Sequence, residues 1–161
     1  MSLSRIGLIN GCFDGIHVGH INFIRQARSL CDRLIVLINS DRSVRRLKGP
    51  KRPLNSAESR LAVLLALTDV DDAAVFDSED DLADQIKIIR PALLIKGEEY
   101  RGKVITGAEL LKRWNGKLIF VRRTMGVSTT DLARIAKSEG RAVPVDGKMG
   151  AGTAFCSGAI Q

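Results

Sequence analysis

The segment Leu34–Ile38 limits the fold more than any other part of the sequence, because apolar side chains occupy all of its positions. It consists of leucine and β-branched residues, as a strand does when both of its faces are covered. Strands of this kind are typical of parallel sheets, in which crossover connections join successive strands. We therefore predict an α/β protein with Leu34–Ile38 in a parallel sheet.

Segments of strand and helix character alternate along the chain. The predicted strands are Ile6–Asn10, Leu34–Ile38, Ala73–Phe76, Leu93–Lys96 and Lys117–Val121. The predicted helices are one with its apolar residues between Ile21 and Cys31, then Asn55–Thr68, Leu82–Arg90, Gly107–Trp114 and Ser128–Ser138. Asn55 followed by Glu58 is a capping-box pattern, worth roughly 1 kcal/mol at the start of the second helix. The alternation predicts a single Rossmann-like, doubly wound parallel sheet with helices on both faces.

Length and composition indicate one domain. A chain of 161 residues with 45% apolar residues can bury a substantial core. We assign residues 1–139 to the domain and residues 140–161, rich in Gly, Ala and Ser, to a flexible or loosely packed tail. The longest apolar run, Leu61–Leu67, is too short to cross a bilayer, and the first residues do not resemble a secretory signal. We therefore expect a cytoplasmic protein with no membrane partner.

The charge balance predicts an anionic partner. Lys and Arg number 25 against 18 Asp and Glu, a formal net charge of +7. Phe, Tyr and Trp number 5, 1 and 1, which leaves few platforms for stacking nucleic-acid bases. A phosphorylated small molecule therefore fits the charge at least as well as nucleic acid, although a basic nucleic-acid-binding module stays open as an alternative.

The loop from Gly11 to His20 is the first candidate site. Its glycines let backbone amides approach a ligand closely, and it leads from a strand into a helix, whose N-terminus favours anions. His17 and His20 are three residues apart and can point to the same side. The loop has three interpretations: a phosphate site, an ordinary turn with two histidines, or a metal site. We expect no metal site, because no further ligand lies at a supporting interval.

Two more segments follow predicted strands and should lie at the same edge of the sheet. Residues 42–52 contain six basic residues and no acid, and Gly49 and Pro50 keep the later part out of a helix. We predict a basic flap here, in which Lys48 reaches a polyphosphate. The other segment, Arg123–Thr130, brings hydroxyl groups and free amides to the start of a helix, where an anion could bind.

These segments resemble the cytidylyltransferase-like nucleotidyltransferases. Asn10–Asp14 with His17–His20 resembles their H-x-G-H signature, and Arg123–Thr130 resembles the R-T-x-G-I-S-T-T signature of the glycerol-3-phosphate cytidylyltransferase branch. Leu47–Gly49 followed by Arg52–Pro53, and Ile95–Tyr100, are more similar to the adenylyltransferase domain that makes ADP-heptose from heptose 1-phosphate. The resemblance covers roughly Ile6–Ala136.

The resemblance implies a reaction in which the phosphate of an acceptor attacks the α-phosphorus of a nucleoside triphosphate and pyrophosphate leaves, with Mg²⁺ as cofactor. ATP with heptose 1-phosphate is preferred, and CTP with glycerol 3-phosphate or a similar polyol phosphate is the alternative. The resemblance also implies a homodimer. It assigns catalysis to His17, His20 and Lys48, acceptor binding or loop geometry to Asp14, and nucleotide binding to Cys12, Phe13, Gly19, Gly97, Glu99, Arg123, Ser128, Thr129 and Thr130.

Overall fold

The computed structural model describes residues 4–122. Its strands are β1 (Ile6–Gly11), β2 (Arg33–Asn39), β3 (Asp72–Phe76), β4 (Leu93–Gly97) and β5 (Lys117–Val121). Its α-helices are α1 (Val18–Ser29), α2 (Asp41–Lys48), α3 (Ala57–Leu65), α4 (Glu79–Ile89) and α5 (Ala108–Leu111). The five predicted strands are all confirmed to within one residue at each end. The predicted helix Ser128–Ser138 and the tail 140–161 lie outside the described residues.

All neighbouring strands pair in parallel, in the order β3-β2-β1-β4-β5. This order confirms the predicted Rossmann-like sheet, in which the chain winds outwards in both directions from β1. β1 pairs with β2 over six residues, and it meets β4 at Gly7 and Leu8. Between β1 and β4 the order of the strands reverses, and this point positions the site.

Two apolar cores cover the two faces of the sheet, as the pattern of Leu34–Ile38 predicts. Val36 and Ile38 of β2 belong to one core, which includes Ile24 of α1. Leu37 belongs to the other, which includes Ile86 of α4. Each of these five side chains is fully buried, and burial of a side chain of this size stabilises a fold by about 1.5–3 kcal/mol. The alternation along β2 therefore explains why helices occupy both faces.

The basic segment differs from the prediction. Residues 41–48 form helix α2 rather than a flap, because Ser40 caps the helix and Asp41 lies in its first turn. The helix ends at Gly49, whose φ of +93° suits a glycine. The prediction that Gly49 and Pro50 keep the later part of the segment out of a helix is confirmed, because α2 ends at Lys48.

The cap of the next helix is shifted by one residue from the prediction. Ser56, not Asn55, is the N-cap residue of α3, and its hydroxyl accepts from the backbone N–H of Ser59. Asn55 instead uses its backbone groups, since its N–H donates to Asp14 and its carbonyl accepts from Arg60. The predicted helix Gly107–Trp114 is also divided, into α5 and a 3₁₀ turn over Lys112–Trp114. None of the helices within residues 4–122 combines the length and the apolar character that crossing a membrane demands.

Candidate active site

A cavity of about 310 Å³ opens at the carboxyl ends of β1 and β4. These strands are neighbours in the sheet but not in the sequence, and ligands of open α/β sheets bind outside the strand ends at such a point. The cavity brings together residues from the loop after β1, the end of α2 and the segment after β4. The predicted site residues that line it are Cys12, Phe13, Asp14, His20, Lys48, Gly97 and Glu99.

A capping box at the start of α1 holds the two histidines. His17 is the N-cap residue, and its Nδ1 accepts from the backbone N–H of Gly19 at 3.1 Å. The backbone N–H of His17 donates to Nδ1 of His20 at 3.4 Å. A neutral imidazole whose Nδ1 accepts a hydrogen bond carries its own hydrogen on Nε2. The capping box therefore makes Nε2 the donor atom of both rings, whose centroids lie 4.0 Å apart.

Only one of the two rings reaches the cavity directly. His20 is half-buried and lines it, whereas His17 and Gly19 do not. His17 nevertheless contacts His20 through its ring and its backbone. The structure thus gives His17 a positioning contact with His20 in addition to the catalytic role predicted for it.

Phe13 gives the loop its unusual backbone. It has a φ of +47°, a conformation that a bulky residue adopts at a cost of about 1–3 kcal/mol. Its ring is buried and lies 5.4 Å from the ring of His20. A Cβ atom on Gly11 would stand 3.3 Å from the Phe13 ring, so the small residue lets the ring pack against the end of β1. Packing of the buried ring holds Phe13 in this strained conformation. Backbone strain of this kind is typical of loops at functional sites.

The carboxylate of Asp14 is committed to the structure of the loop. Its Oδ1 accepts from the backbone N–H groups of Leu54 and Asn55 at 2.7 and 3.2 Å, and its Oδ2 forms an ion pair with Arg52 at 3.0 Å. The side chain is fully buried. Of the two roles expected for Asp14, the geometry therefore supports loop geometry, because both oxygens already have partners within the chain.

Lys48 and Cys12 both line the cavity. Lys48 is the last residue of α2 and is exposed. Cys12 is half-buried, and its thiol lies 3.5 Å from Oδ1 of Asn39. Burial raises the pKa of Cys12, while the positive charges of Lys48 and Arg60 oppose the rise. The Cys12 thiol in the cavity lining is therefore uncharged, and Lys48 adds a positive charge to the same lining.

The end of β4 and the segment after it also line the cavity. A Cβ atom on Gly97 would overlap the carboxylate of Glu99, so glycine is required here for Glu99 to fold back over the strand end. Lys96 and Tyr100 also line the cavity, and the ammonium of Lys96 lies 5.0 Å from the centre of the Tyr100 ring. Sequence reasoning did not assign either residue to the site. A lysine within a strand otherwise made of buried residues is the signal that could have found it.

A buried arginine ties the surrounding elements together. Arg60 of α3 is 2% exposed, and its guanidinium donates to the carbonyls of Cys12 and Asn39 at 2.7 and 2.8 Å. It also donates to the carbonyl of Asn55 at 3.0 Å and to the carboxylate of Asp41 at 2.8 Å. One side chain thus joins the ends of β1 and β2 to the starts of α2 and α3. Sequence reasoning missed it because an arginine in a helix is ordinarily a surface residue.

The third predicted loop cannot be placed. Arg123, Ser128, Thr129 and Thr130 lie outside the described residues. Within residues 4–122, no group of three or more His, Cys, Asp or Glu side chains is arranged to hold a metal ion. The structure thus brings two of the three predicted segments, the histidine loop and the end of α2, to one cavity.

Comparison with known proteins identifies the family. A family model described as cytidylyltransferase-like matches residues 8–135. The chain is 47% identical over 135 residues to the bifunctional protein HldE of Hyphomonas neptunium, and 42% identical over 127 residues to the bifunctional protein HldE of Paramagnetospirillum magneticum. These matches cover 84% and 79% of this chain but 27% and 26% of the relatives. The chain therefore spans about a quarter of the length of these relatives.

A solved structure shows the same fold. The crystal structure of the lipopolysaccharide core biosynthesis protein from Thermoplasma volcanium GSS1 superposes with a TM-score of 0.64 at 24% identity, over 76% of this chain and 99% of that one. The family match and the relatives above 40% identity confirm the resemblance first seen in the histidine and R-T-x-G-type segments. The chain belongs to the cytidylyltransferase-like family, as a nucleotidyltransferase.

Proposed function

We propose that this domain transfers adenosine monophosphate from ATP to heptose 1-phosphate, which gives ADP-heptose and pyrophosphate. The observation that carries the proposal is the cavity at the strand reversal, where His20, Lys48 and the backbone of the loop after β1 surround one space. Hydrogen-bond donors and a cation in a partly enclosed space suit the charge of a triphosphate. The similarity to HldE proteins and to the heptose-type Leu47–Gly49 and Ile95–Tyr100 motifs supports this acceptor.

The reaction needs no nucleophile from the protein. An oxygen of the acceptor phosphate forms a bond to the α-phosphorus, and the bond from that phosphorus to the bridging oxygen of pyrophosphate breaks. The electron pair of the broken bond leaves with pyrophosphate. Catalysis then consists of placing the two phosphates in line and stabilising the charge that builds up between them.

The chain's own residues would do this as follows. The Nε2–H group of His20 would donate to phosphate oxygens, and His17 would position the His20 ring through its own ring and backbone. The ammonium of Lys48 would neutralise the charge on the α-phosphate or the acceptor phosphate. Glu99, which lines the same cavity, is proposed to accept a hydrogen bond from a ribose hydroxyl. Arg123 and the hydroxyls of Ser128, Thr129 and Thr130 are proposed for the triphosphate end.

Mg²⁺ is part of the proposal as an ion carried by the triphosphate. The ion would supply charge neutralisation of the departing pyrophosphate. A homodimer and a cytoplasmic location also remain predictions.

Pyrophosphate release tests the proposal. The full chain is incubated with ATP or CTP and Mg²⁺, each with heptose 1-phosphate, a hexose 1-phosphate or glycerol 3-phosphate. Release with ATP and heptose 1-phosphate is the expected result. Release only with CTP and glycerol 3-phosphate would assign the alternative reaction. No release with any pair from a folded protein, together with a salt-steep affinity for nucleic acid, would select the nucleic-acid-binding module.

The capping box supplies matched variants for the histidines. His17→Ala removes both the imidazole and the cap, and loss of an N-cap costs about 1 kcal/mol by itself. His17→Asn and His20→Gln keep side chains that can accept the capping hydrogen bonds, so they separate catalysis from helix stability. We expect both to melt close to the wild type and to lose at least 100-fold in turnover. A wild-type rate in His20→Gln would reject a catalytic imidazole at this position.

A further inference from the structure

A second cavity, of about 790 Å³, meets the first at the end of β1. It lies among the ends of β2 and β3, the start of α4 and the segment before α5. The two cavities share the wall formed by Asn10, Gly11, Cys12, Lys96 and Tyr100. A ligand in one cavity and a ligand in the other would therefore meet at this wall.

Lys96 lies at the junction and is 9% exposed. It follows Leu94 and Ile95, which are fully buried in the two apolar cores, so an apolar side chain would suit this strand better than a cation. Burial lowers the pKa of Lys96 to about 8, and the charge of Glu99 opposes the shift. The ammonium is thus kept at an energetic cost in a residue that lines both cavities.

The lining of the second cavity suits a polyhydroxylated ligand. Polar side chains come from several elements: Asn39 at the end of β2, Ser43 in α2, Glu79 in α4 and Thr106 before α5. The Thr106 hydroxyl donates to Glu79 at 2.8 Å, which orients the Glu79 carboxylate without using all of its acceptor sites. Carboxylate, amide and hydroxyl groups together recognise sugar hydroxyls.

Ion pairs hold the arginines that line the second cavity in fixed positions. Arg42 and Arg46 of α2 both bind the carboxylate of Asp77, which also accepts from the hydroxyl of Ser40. These contacts hold the pKa of Asp77 well below its usual range. With Glu79 and Lys96, the charged lining of this cavity is three cations against two carboxylates, so the one excess positive charge is that of Lys96.

Building on the proposed function, we propose that the second cavity binds the sugar of the acceptor and that Lys96, at the junction, binds the acceptor's phosphate. The substrate class is a sugar phosphate small enough for a cavity of this size. Its phosphate would lie at the shared wall, next to the α-phosphate of a nucleotide in the first cavity. Lys96 keeps its proton throughout and acts by binding and orienting the phosphate.

Direct binding separates this role from a structural one. Sugar 1-phosphate is titrated by calorimetry into the full chain saturated with a non-hydrolysable ATP analogue, for the wild type and Lys96→Met. Since a hydrogen bond to a charged group is lost, we expect the dissociation constant of the sugar phosphate to rise on the order of 10- to 100-fold. The affinity for the ATP analogue should change less than threefold. The melting temperature should stay equal or rise, because the variant no longer buries a cation.

Lys103→Met is the matched control. Lys103 also lies over the Tyr100 ring, with its ammonium 5.1 Å from the ring centre, but it is exposed and lines neither cavity. This control should bind both ligands as the wild type does. A second variant, Thr106→Phe, narrows the second cavity at a residue that does not line the first, and it should weaken the sugar phosphate alone.

The outcomes distinguish this inference from the proposed function. Wild-type affinity for sugar phosphate in both Lys96→Met and Thr106→Phe would overturn the inference, as would an equal loss of ATP-analogue and sugar-phosphate affinity in Lys96→Met. No binding of sugar phosphate by the wild type would overturn it as well. The proposed function is decided separately by pyrophosphate release from the wild type, whatever these variants bind.

Discussion

Replacing Arg60 with Met should destabilise the protein more than any surface change in the same region. The guanidinium makes four hydrogen bonds, three to backbone carbonyls and one to the carboxylate of Asp41. Removal of one partner from a buried ion pair costs about 3–5 kcal/mol, and the orphaned carbonyls add to this. The Asp41 side chain is 33% exposed, so water recovers part of the loss. We therefore expect a decrease of about 3–5 kcal/mol in the free energy of unfolding.

Urea denaturation followed by circular dichroism measures this decrease. Arg45→Met, an exposed arginine in α2, is the matched control and should leave the midpoint unchanged. Arg60→Lys should fall between the two, because an ammonium cannot reach four acceptors in the planar arrangement of a guanidinium. A loss below about 1 kcal/mol in Arg60→Met, with an unchanged denaturant slope, would refute the view that this side chain joins the strand ends to α2 and α3.

Three further outcomes are expected. Ser56→Ala should lower the free energy of unfolding by about 1 kcal/mol, whereas Asn55→Ala should change it little; the reverse order in urea melts would restore Asn55 as the cap. Gly97→Ala should displace the Glu99 carboxylate and weaken ATP several-fold in a calorimetric titration, with little loss of stability because a flexible side chain can move aside. Burial lowers the pKa of Lys96 to about 8 in the folded chain, so between pH 8 and 10.5 the unfolded chain binds this proton more often than the folded chain does. The free energy of unfolding of the wild type should therefore rise by on the order of 2–3 kcal/mol relative to that of Lys96→Met across this range. Parallel stability curves for the two proteins across that interval would contradict the buried ammonium.

The fold could be predicted because its signals are local and repeated. The apolar run of β2 and the regular return of strands dictate a parallel sheet, and the structure places those strands within one residue of their predicted ends. Helix α2 was missed because a segment rich in arginine and ending in Gly49-Pro50 was interpreted as loop chemistry. The sequence signal for the start of α2 is the capping residue Ser40, which the pattern of charges does not reveal.

The site could be predicted only where it is continuous in the sequence. The histidine loop carries its own glycines and histidines, so the chemistry of the segment is visible without the fold. Arg60 and Lys96 depend on tertiary burial. Arg60 is a helical arginine, three of whose four acceptors come from distant segments, and Lys96 is a strand lysine between two cores. For Asp14 the residue type indicated two roles, and only its contacts with Arg52 and Leu54 choose between them.

The wall shared by the two cavities bears on how catalysis would be inhibited. A molecule that joins a nucleotide to a sugar would straddle Gly11 and Lys96 and fill both spaces at once. The sugar nucleotide of the proposed reaction would then exclude ATP and acceptor alike, so it should inhibit turnover as it accumulates. Compounds that join a nucleotide to a sugar by a linker of diphosphate length should occupy both cavities. Their affinity should be high because the two binding groups are linked in one molecule.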